Sequence, residues 1–345
     1  MVISDFSLLN SEITKIKPSS IFILADTNTL QFCVPILITN IEILKEAQIL
    51  EIEPGEESKA VEIAAGLWES LIEQNADRNS LLLNVGGGVV CDLGGFVAAT
   101  YMRGISFINI PTSLLAMVDA GIGGKTGINL NQYKNSIGVF QEAKAYFVYP
   151  EFLKTLSKNE IRSGFAEIVK HYLLDNEASY KKLVYIDPFK TADWGEIIRE
   201  NITIKKRFVQ DDLNEKGKRA ALNLGHTVGH AIEAFFLQKN KPVLHGDAVA
   251  AGIIIETHLA SFGNQKLLAE TYFYQISSYL TKYFPRFYFE KSDIDELIRL
   301  MSHDKKNIHS NITFSLLVKP GDILLNYEDR DLEIIKSLTY YLENV

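Results

Sequence analysis

The sequence predicts an α/β N-terminal domain with a parallel-rich sheet, over residues 1–150, followed by a mainly α-helical C-terminal domain over 151–345. Two observations predict this. Up to about residue 150, short β-branched runs alternate with an amphipathic helical stretch, the pattern of a parallel sheet covered on both faces. Beyond it, the apolar residues recur at helical spacing almost to the end.

The elements follow in order. SIFILAD (20–26) and PILITN (35–40) are short β-branched runs bounded by Asn, Asp and Pro, and both read as buried strands. Residues 58–74 place apolar side chains at 61, 64, 67, 68, 71 and 72, the period of an amphipathic helix. SLLLNV (80–85) reads as a strand running into three glycines, and SFINI (106–110) as a fourth strand closed by Pro111. Pro150 interrupts the pattern within YPEFLKTLS (149–157), where the boundary is expected. Helical periodicity then covers 159–175, 193–211, 220–237, 246–262, 266–283 and 293–303, with ITFSLLV (312–318) as a lone strand and 176–192 as a surface connection. There is no internal repeat or low-complexity segment.

Composition narrows the class. With 47% hydrophobic and 23% charged residues the chain has a globular composition, and a net charge of −8 argues against general affinity for nucleic acid. Cys33 and Cys91 lie in apolar stretches and read as buried reduced thiols, too few for a disulfide framework or a thiolate zinc site. No basic segment precedes an apolar core near residue 1, and no run approaches the about 18 apolar residues a membrane span needs, so a cytoplasmic location is expected.

In the first half, NVGGGVVCDLGG (84–95) puts glycines between a strand and a helix. There the backbone can approach a pyrophosphate and the helix N-terminus offers unpaired N–H groups, although a tight turn without a ligand reads the same way. Asp26 closes an early strand with Asn28 just after it, at the strand end where open α/β sheets bind ligands. PGEESK (54–59) offers Glu56 and Lys59 to a ribose or base edge; Thr112 and Ser113 could contact a ligand or simply cap a helix. AGIGGKTGINL (120–130) surrounds Lys125 with glycines, and YKNSIG (133–138) adds Lys134 and Asn135, which suits a phosphate-bearing ligand or a solvated loop. The first half is therefore a candidate nucleotide-binding domain.

In the second half, NLGHTVGH (223–230) places His226 and His230 four apart, on one helical face, as a two-histidine metal clamp would require. HGD (245–247) supplies His245. A catalytic zinc needs three protein ligands, and Glu167, in the otherwise apolar GFAEIVKH (164–171), is a natural carboxylate partner unless it merely pairs with Lys170. Lys205, Lys206, Arg219 and the DKK at 304–306 are either solvated surface or the walls of a cleft for a polyanionic small substrate.

Taken together, GGGVVCDLGGF, MRG, PTSLLAMVDAGIGGKTGIN, KNSIGVF, GFAEIVKH, ALNLGHTVGHAIE and LHGDAVAAG resemble 3-dehydroquinate synthase, in order, from about residue 20 to about 320. The resemblance implies an NAD-binding α/β domain, a helical metal-binding domain and a homodimer. It implies conversion of 3-deoxy-D-arabino-heptulosonate 7-phosphate, a phosphorylated sugar acid, to 3-dehydroquinate and phosphate, with NAD regenerated each cycle and Zn2+ or Co2+ as the metal. It assigns Glu167, His226 and His245 to the metal and makes His230 an acid/base group rather than a ligand. Lys125, Asn135 and a lysine of DKK, taken as Lys305, correspond to phosphate-handling groups, and Arg103 to a residue reaching the phosphate of the neighbouring subunit. Lys170, Lys205, Arg219 and Asn223 correspond to groups holding the carboxylate and hydroxyls, and Asp119 to one that meets both cofactor and substrate. Asp26, Asn28, Glu56, Lys59, Gly87, Gly88, Asp92, Thr112, Ser113, Lys125, Lys134, Phe152 and Thr155 correspond to NAD contacts.

Three positions depart from the family pattern: HGD where HGE is usual, PTS for PTT, and His171 after Lys170 where Tyr is common. Asp247 adjoins a ligand and bears on its support rather than on the ligand count. The rival readings are another sugar phosphate cyclase, such as 2-deoxy-scyllo-inosose or a valiolone synthase, a metal-dependent polyol dehydrogenase, and a catalytically silent relative.

Overall fold

The structure, a computed structural model, describes residues 2–130, 133–210, 212, 217–302, 312–329 and 332–345. The chain divides into two compact units. One comprises Met1–Ser157 with Asp193–Ile202, the other Lys158–Ala192 with Thr203–Val345.

The first unit is built on a six-stranded sheet. Its strands are β1 (Val2–Ile3), β2 (Ile21–Asp26), β3 (Gln48–Ile52), β4 (Leu81–Gly86), β5 (Ser106–Pro111) and, after the hairpin β6 (Lys125–Leu130) and β7 (Tyr133–Phe140), β8 (Ala145–Phe147). The order is β1-β8-β5-β4-β2-β3 and every pairing within this sheet is parallel. Helices α1 (Phe6–Ile16), α2 (Thr27–Phe32), α3 (Val34–Asn40), α4 (Val61–Glu73) and α5 (Gly88–Thr100) make the crossovers. β4 is buried along its whole length, as a central parallel strand covered on both faces must be. Its continuous apolar run is why residues 80–85 announce themselves as a strand. In register, Asp26 pairs with Ile52 and Gly86 with Pro111, so β2, β3, β4 and β5 end along one carboxyl edge.

PILITN (35–40), expected as a strand, is the helix α3. Pro35 stands in its first turn, where the missing N–H has no helical partner to lose, and Val34 and Leu37 bury themselves one turn apart. A six-residue apolar run carries no period decisive enough to separate helix from strand. The glycine- and lysine-rich 120–140 segment also differs from a solvated loop: it forms the β6–β7 hairpin, with Lys125 opposite Phe140.

The second unit is mainly helical. It contains α6 (Lys158–Asp175), α7 (Glu177–Lys182), the later residues of α8 (Gly195–Val209), α9 (His226–Gln238), α10 (His245–Phe262), α11 (Glu270–Tyr283), α12 (Ile294–Ser302) and α13 (Ile334–Asn344). The 312–318 strand is β9 (Ile312–Lys319), and it has an antiparallel partner, β10 (Asp322–Asp329). The expected surface connection 176–192 carries α7 and a 3-10 turn, which buries Leu183 and Ile186 and exposes Val184 and Tyr185.

The expected helix 220–237 is two pieces, a 3-10 segment Lys218–Asn223 and α9, broken at Gly225, whose φ of 78° only glycine adopts without strain. Here α10 lies directly on the backbone of α9. A Cβ on Gly252 would stand 2.0 Å from the Gly225 carbonyl oxygen and 2.9 Å from the Gly229 nitrogen. Contact this close fixes the relative position of the two helices that carry the histidines.

Candidate active site

Three helices of the second unit converge on one point. α6 contributes Glu167, fully buried; α9 contributes His226 as its first helical residue; α10 contributes His245 as its first. Glu167 Oε1 lies 3.6 Å from His226 Nε2 and 3.6 Å from His245 Nε2, and the donor atoms of all three fall within 4.8 Å of one another. A carboxylate and two imidazole nitrogens in this arrangement match a catalytic zinc-type donor set with a position left for substrate.

The outward nitrogens fix the inward ones. His226 Nδ1 donates to the Leu224 carbonyl at 3.1 Å, and His245 Nδ1 donates to Glu233 Oε2 at 2.9 Å. Each bond engages Nδ1 and leaves Nε2 facing Glu167. A second grouping, His230, Glu233 and His245, also falls within 4.8 Å, but there Glu233 is already the hydrogen-bond acceptor of His245.

Electrostatics separates the two histidines. Burial, reinforced by Lys170, holds His226 well below the usual imidazole range, so it is neutral and able to ligate. Burial also disfavours charge on His245, but Glu233 and Glu167 outweigh it and push the ring up to about 10. The alternative in which Glu167 pairs with Lys170 is realised as well: Lys170 Nζ meets Glu167 Oε2, with both side chains buried, while Oε1 faces the histidines.

The start of α10 is anchored from α6. Arg162 grips Asp247 through two bonds, Nε to Oδ1 at 2.8 Å and Nη2 to Oδ2 at 2.7 Å, and Ser163 Oγ accepts from the Gly246 N–H at 3.0 Å. This is the role of the shorter carboxylate in HGD: Asp247 is buried and held by a planar fork, two residues from a ligand.

Of the other predicted residues, His230 lies beside the histidines. His230 is exposed, and its ring centroid is 5.3 Å from that of His226 and 6.0 Å from that of His245. Lys205 and Arg219 are buried cations, on α8 and the 3-10 segment, and Asn223 is half-buried at the end of that segment. Lys305 and the rest of DKK lie outside the described residues.

In the first unit, Asp26, Gly87, Gly88, Thr112 and Ser113, among the predicted nucleotide contacts, stand at the carboxyl ends of β2, β4 and β5. Gly87 is the N-cap of α5 and Gly88 its first residue, with no side chain capping that end. Thr112 donates its backbone N–H to Gly86 O at 2.9 Å, which seats 112–113 beside the glycine turn. Asp26 caps α2, accepting from the Thr29 N–H at 2.9 Å, and Ser113 Oγ accepts from Ala116 N at 3.2 Å, so the capping roles are real for both. Asn28 is exposed in the first turn of α2. Lys59 is buried, donates to Asp92 Oδ2 at 2.6 Å and to Asn135 Oδ1, and Asn129 Nδ2 donates to Glu56 Oε1 at 2.8 Å. The structure thus joins PGEESK, α5 and the hairpin into one polar cluster.

Lys125 and Lys134 are exposed on the hairpin. Asp119 sits in a π-helical turn, Ala116–Ala120. Phe152 is buried in the 3-10 turn Pro150–Thr155, with Thr155 Oγ1 donating to its carbonyl at 3.2 Å. Phe152 therefore offers a ligand backbone rather than its ring. Arg103 is exposed, and both it and Met102 take left-handed φ, 68° and 50°.

Sequence reasoning missed Glu233, Arg162 and Ser163. Glu233 had a signal, standing seven residues after His226 on the same helical face. Arg162 and Ser163 had none, because their partners are 85 and 83 positions away.

Comparison with known proteins shows the family and the fold. The family described as 3-dehydroquinate synthase N-terminal matches residues 49–163, and that described as 3-dehydroquinate synthase C-terminal matches 164–307. The chain is 41% identical over 344 residues to the 3-dehydroquinate synthase of Parabacteroides distasonis, covering 98% of this chain and 96% of that one. Among solved structures it shares its fold with a 2-deoxy-scyllo-inosose synthase complexed with carbaglucose-6-phosphate, NAD+ and Co2+ (TM-score 0.82, 24% identity, 100% of this chain and 96% of that one). It also shares it with the 2-epi-5-epi-valiolone synthase ValA of Streptomyces hygroscopicus subsp. jinggangensis, which has NAD+ and Zn2+ bound (TM-score 0.84, 23% identity, 100% and 97%).

Proposed function

The chain belongs to the 3-dehydroquinate synthase family, and from that premise we infer how its residues divide the work of the reaction. The enzyme converts 3-deoxy-D-arabino-heptulosonate 7-phosphate to 3-dehydroquinate and phosphate, a step of the shikimate pathway. One observation carries the assignment of roles: Glu167, His226 and His245 converge, with both Nε2 atoms 3.6 Å from one carboxylate oxygen.

The donor set fits Zn2+ or Co2+, and the glycine turn at the uncapped start of α5 fits the pyrophosphate of NAD. When bound, the metal supplies a Lewis acid and NAD a reversible hydride acceptor. Glu167, His226 and His245 hold the metal. Lys170 stays at Glu167 Oε2, placing a fixed positive charge beside the site where substrate oxygens must sit. Lys205, Arg219 and Asn223 bind the carboxylate and hydroxyls and keep the open-chain anion from drifting before ring closure. His230, one turn from His226 and reached by solvent, moves protons rather than ligating. Asp26, Asn28, Glu56, Lys59, Gly87, Gly88, Asp92, Thr112, Ser113, Lys134, Phe152 and Thr155 bind NAD; Asp119 meets cofactor and substrate. Lys125, Asn135 and Lys305 bind the phosphate.

We read residues 1–150 and 151–345 as the NAD-binding and metal-binding domains, and the working form as a homodimer in which Arg103 enters the neighbouring site. The exposure of Arg103 on a left-handed turn supports that reading. Burial of both free cysteines, with the Cys33 thiol pushed up to about 12 by burial and by Asp26, supports work in the reducing cytoplasm. No helix among the described residues is long and apolar enough to cross a membrane.

Incubation with NAD, Zn2+ and the heptulosonate phosphate should release phosphate and form dehydroquinate in equal amounts. Turnover of glucose 6-phosphate or sedoheptulose 7-phosphate instead would overturn the substrate assignment. His226→Ala should lose bound metal while keeping its fold.

A further inference from the structure

Among the buried carboxylates that the mechanism does not use, one reaches the helix that carries His226. Glu256 on α10 is fully buried, and its side chain reaches α9. Oε2 accepts from the Gly225 N–H at 2.6 Å and Oε1 from the Val228 N–H at 3.2 Å. These are the N-cap and N3 amides of α9, the two donors that a helix ordinarily satisfies with a capping box of its own. α9 has no such box, since its N-cap is glycine and carries no side chain. Nor can that glycine be replaced by a capping residue: a Cβ there would stand 2.5 Å from Ile253 Cγ1 and 2.9 Å from the Val249 carbonyl oxygen. The α9–α10 approach therefore forbids a cap from within, and Glu256 supplies it from the neighbouring helix.

The residue immediately after that cap is His226. Glu256 also lies eleven positions after His245, which returns it to nearly the same face of α10, about three turns away. We propose that Glu256 is a positioning residue of the metal centre: by clamping the N-cap and N3 amides of α9 to α10, it fixes the backbone from which His226 reaches the metal, relative to the helix that carries His245. The clamp is electrostatically consistent, a carboxylate at the positive end of a helix. The proposal rests on the reading that Glu167, His226 and His245 hold the metal.

The test compares the full-length protein with Glu256→Gln, an isosteric change that leaves one N–H facing an amide NH2, and with Ser337→Ala. The latter removes a buried bond to His258 on the same helix, at 2.9 Å, without touching α9. Co2+ affinity is measured by chelator competition, the visible Co2+ absorption is recorded, and thermal unfolding is followed without metal. Glu256→Gln should bind Co2+ about ten- to a hundredfold more weakly, with a shifted spectrum, whereas Ser337→Ala should do neither. Unchanged affinity and spectrum in Glu256→Gln, or an equal loss in Ser337→Ala at equal loss of stability, overturns the proposal. Amide hydrogen exchange on the unaltered metal-free protein provides a measurement independent of any variant. The Gly225 and Val228 amides should exchange as slowly as those inside α10, and rapid exchange overturns the clamp. His226→Ala run in parallel separates the two readings. If it retains Co2+, the ligand assignment fails; if it loses Co2+ while Glu256→Gln does not, the positioning role alone fails.

Discussion

His245 gives its Nδ1 proton to Glu233 across 2.9 Å, and the same ring presents Nε2 to Glu167 at 3.6 Å. The bond sets the ring direction, so the ligand is oriented before any metal arrives.

Glu233→Gln removes the charge from that pair while keeping its shape. Metal affinity should fall by about ten- to a hundredfold, read by chelator competition, and the metal-free protein should unfold at a lower temperature near neutral pH, because the His245 ring loses the carboxylate that stabilises its charge. Full-strength metal binding would show that the ring is held by something else.

Arg162→Ala strands the buried Asp247 without its two-bond partner. Breaking a buried pair from one side costs about 3 kcal/mol or more, so urea unfolding should show a loss of that order. Arg162→Lys should restore only part of it, because an ammonium cannot make both bonds. A loss under 1 kcal/mol would mean that Asp247 recovers its solvation by moving.

Two glycines in helices should respond with opposite sign to the same substitution. Gly66 on α4 is exposed and a Cβ there meets nothing within 4 Å, so Gly66→Ala should stabilise by about 0.4–1 kcal/mol through the unfolded chain. Gly252→Ala must push α9 away from α10 and should lose stability and metal binding together. A neutral Gly252→Ala would contradict the packing described.

His258 is buried against Tyr340 (ring centroids 4.2 Å apart), and burial lowers its pKa from 6.5 to about 4. The folded protein therefore binds fewer protons here than the unfolded chain between those values. Its contribution is intact above pH 6.5 and is lost as the pH falls toward 4. His258→Gln should make the acid-side decline in unfolding temperature shallower over that interval; an identical slope would remove His258 from the account.

The residues that converge at Glu167 were legible as candidates because each stands in a compact motif: His226 one turn before a second histidine, Glu167 alone in an apolar stretch, His245 before glycine. Strands β2, β4 and β5 were legible because central parallel strands must be apolar throughout. The misreading of 35–40 came from a run too short to reveal its period, and the β6–β7 hairpin was hidden by glycines and lysines that resemble a loop. Glu256 showed in the sequence only as a charge interrupting an apolar helix. Its purpose depends on Gly225, 31 positions earlier, and no local pattern encodes that distance.

The β1–β8 pairing sets a timetable for synthesis. Ile3 pairs with Phe147, so the strand that emerges from the ribosome early must wait for its neighbour while the intervening chain is made. At about 5–20 residues per second that interval is on the order of ten seconds, during which β2, β4 and β5 can already assemble. Closure of that sheet edge is therefore a late, long-range step, and a truncated chain ending before residue 145 would leave β1 with nothing to join.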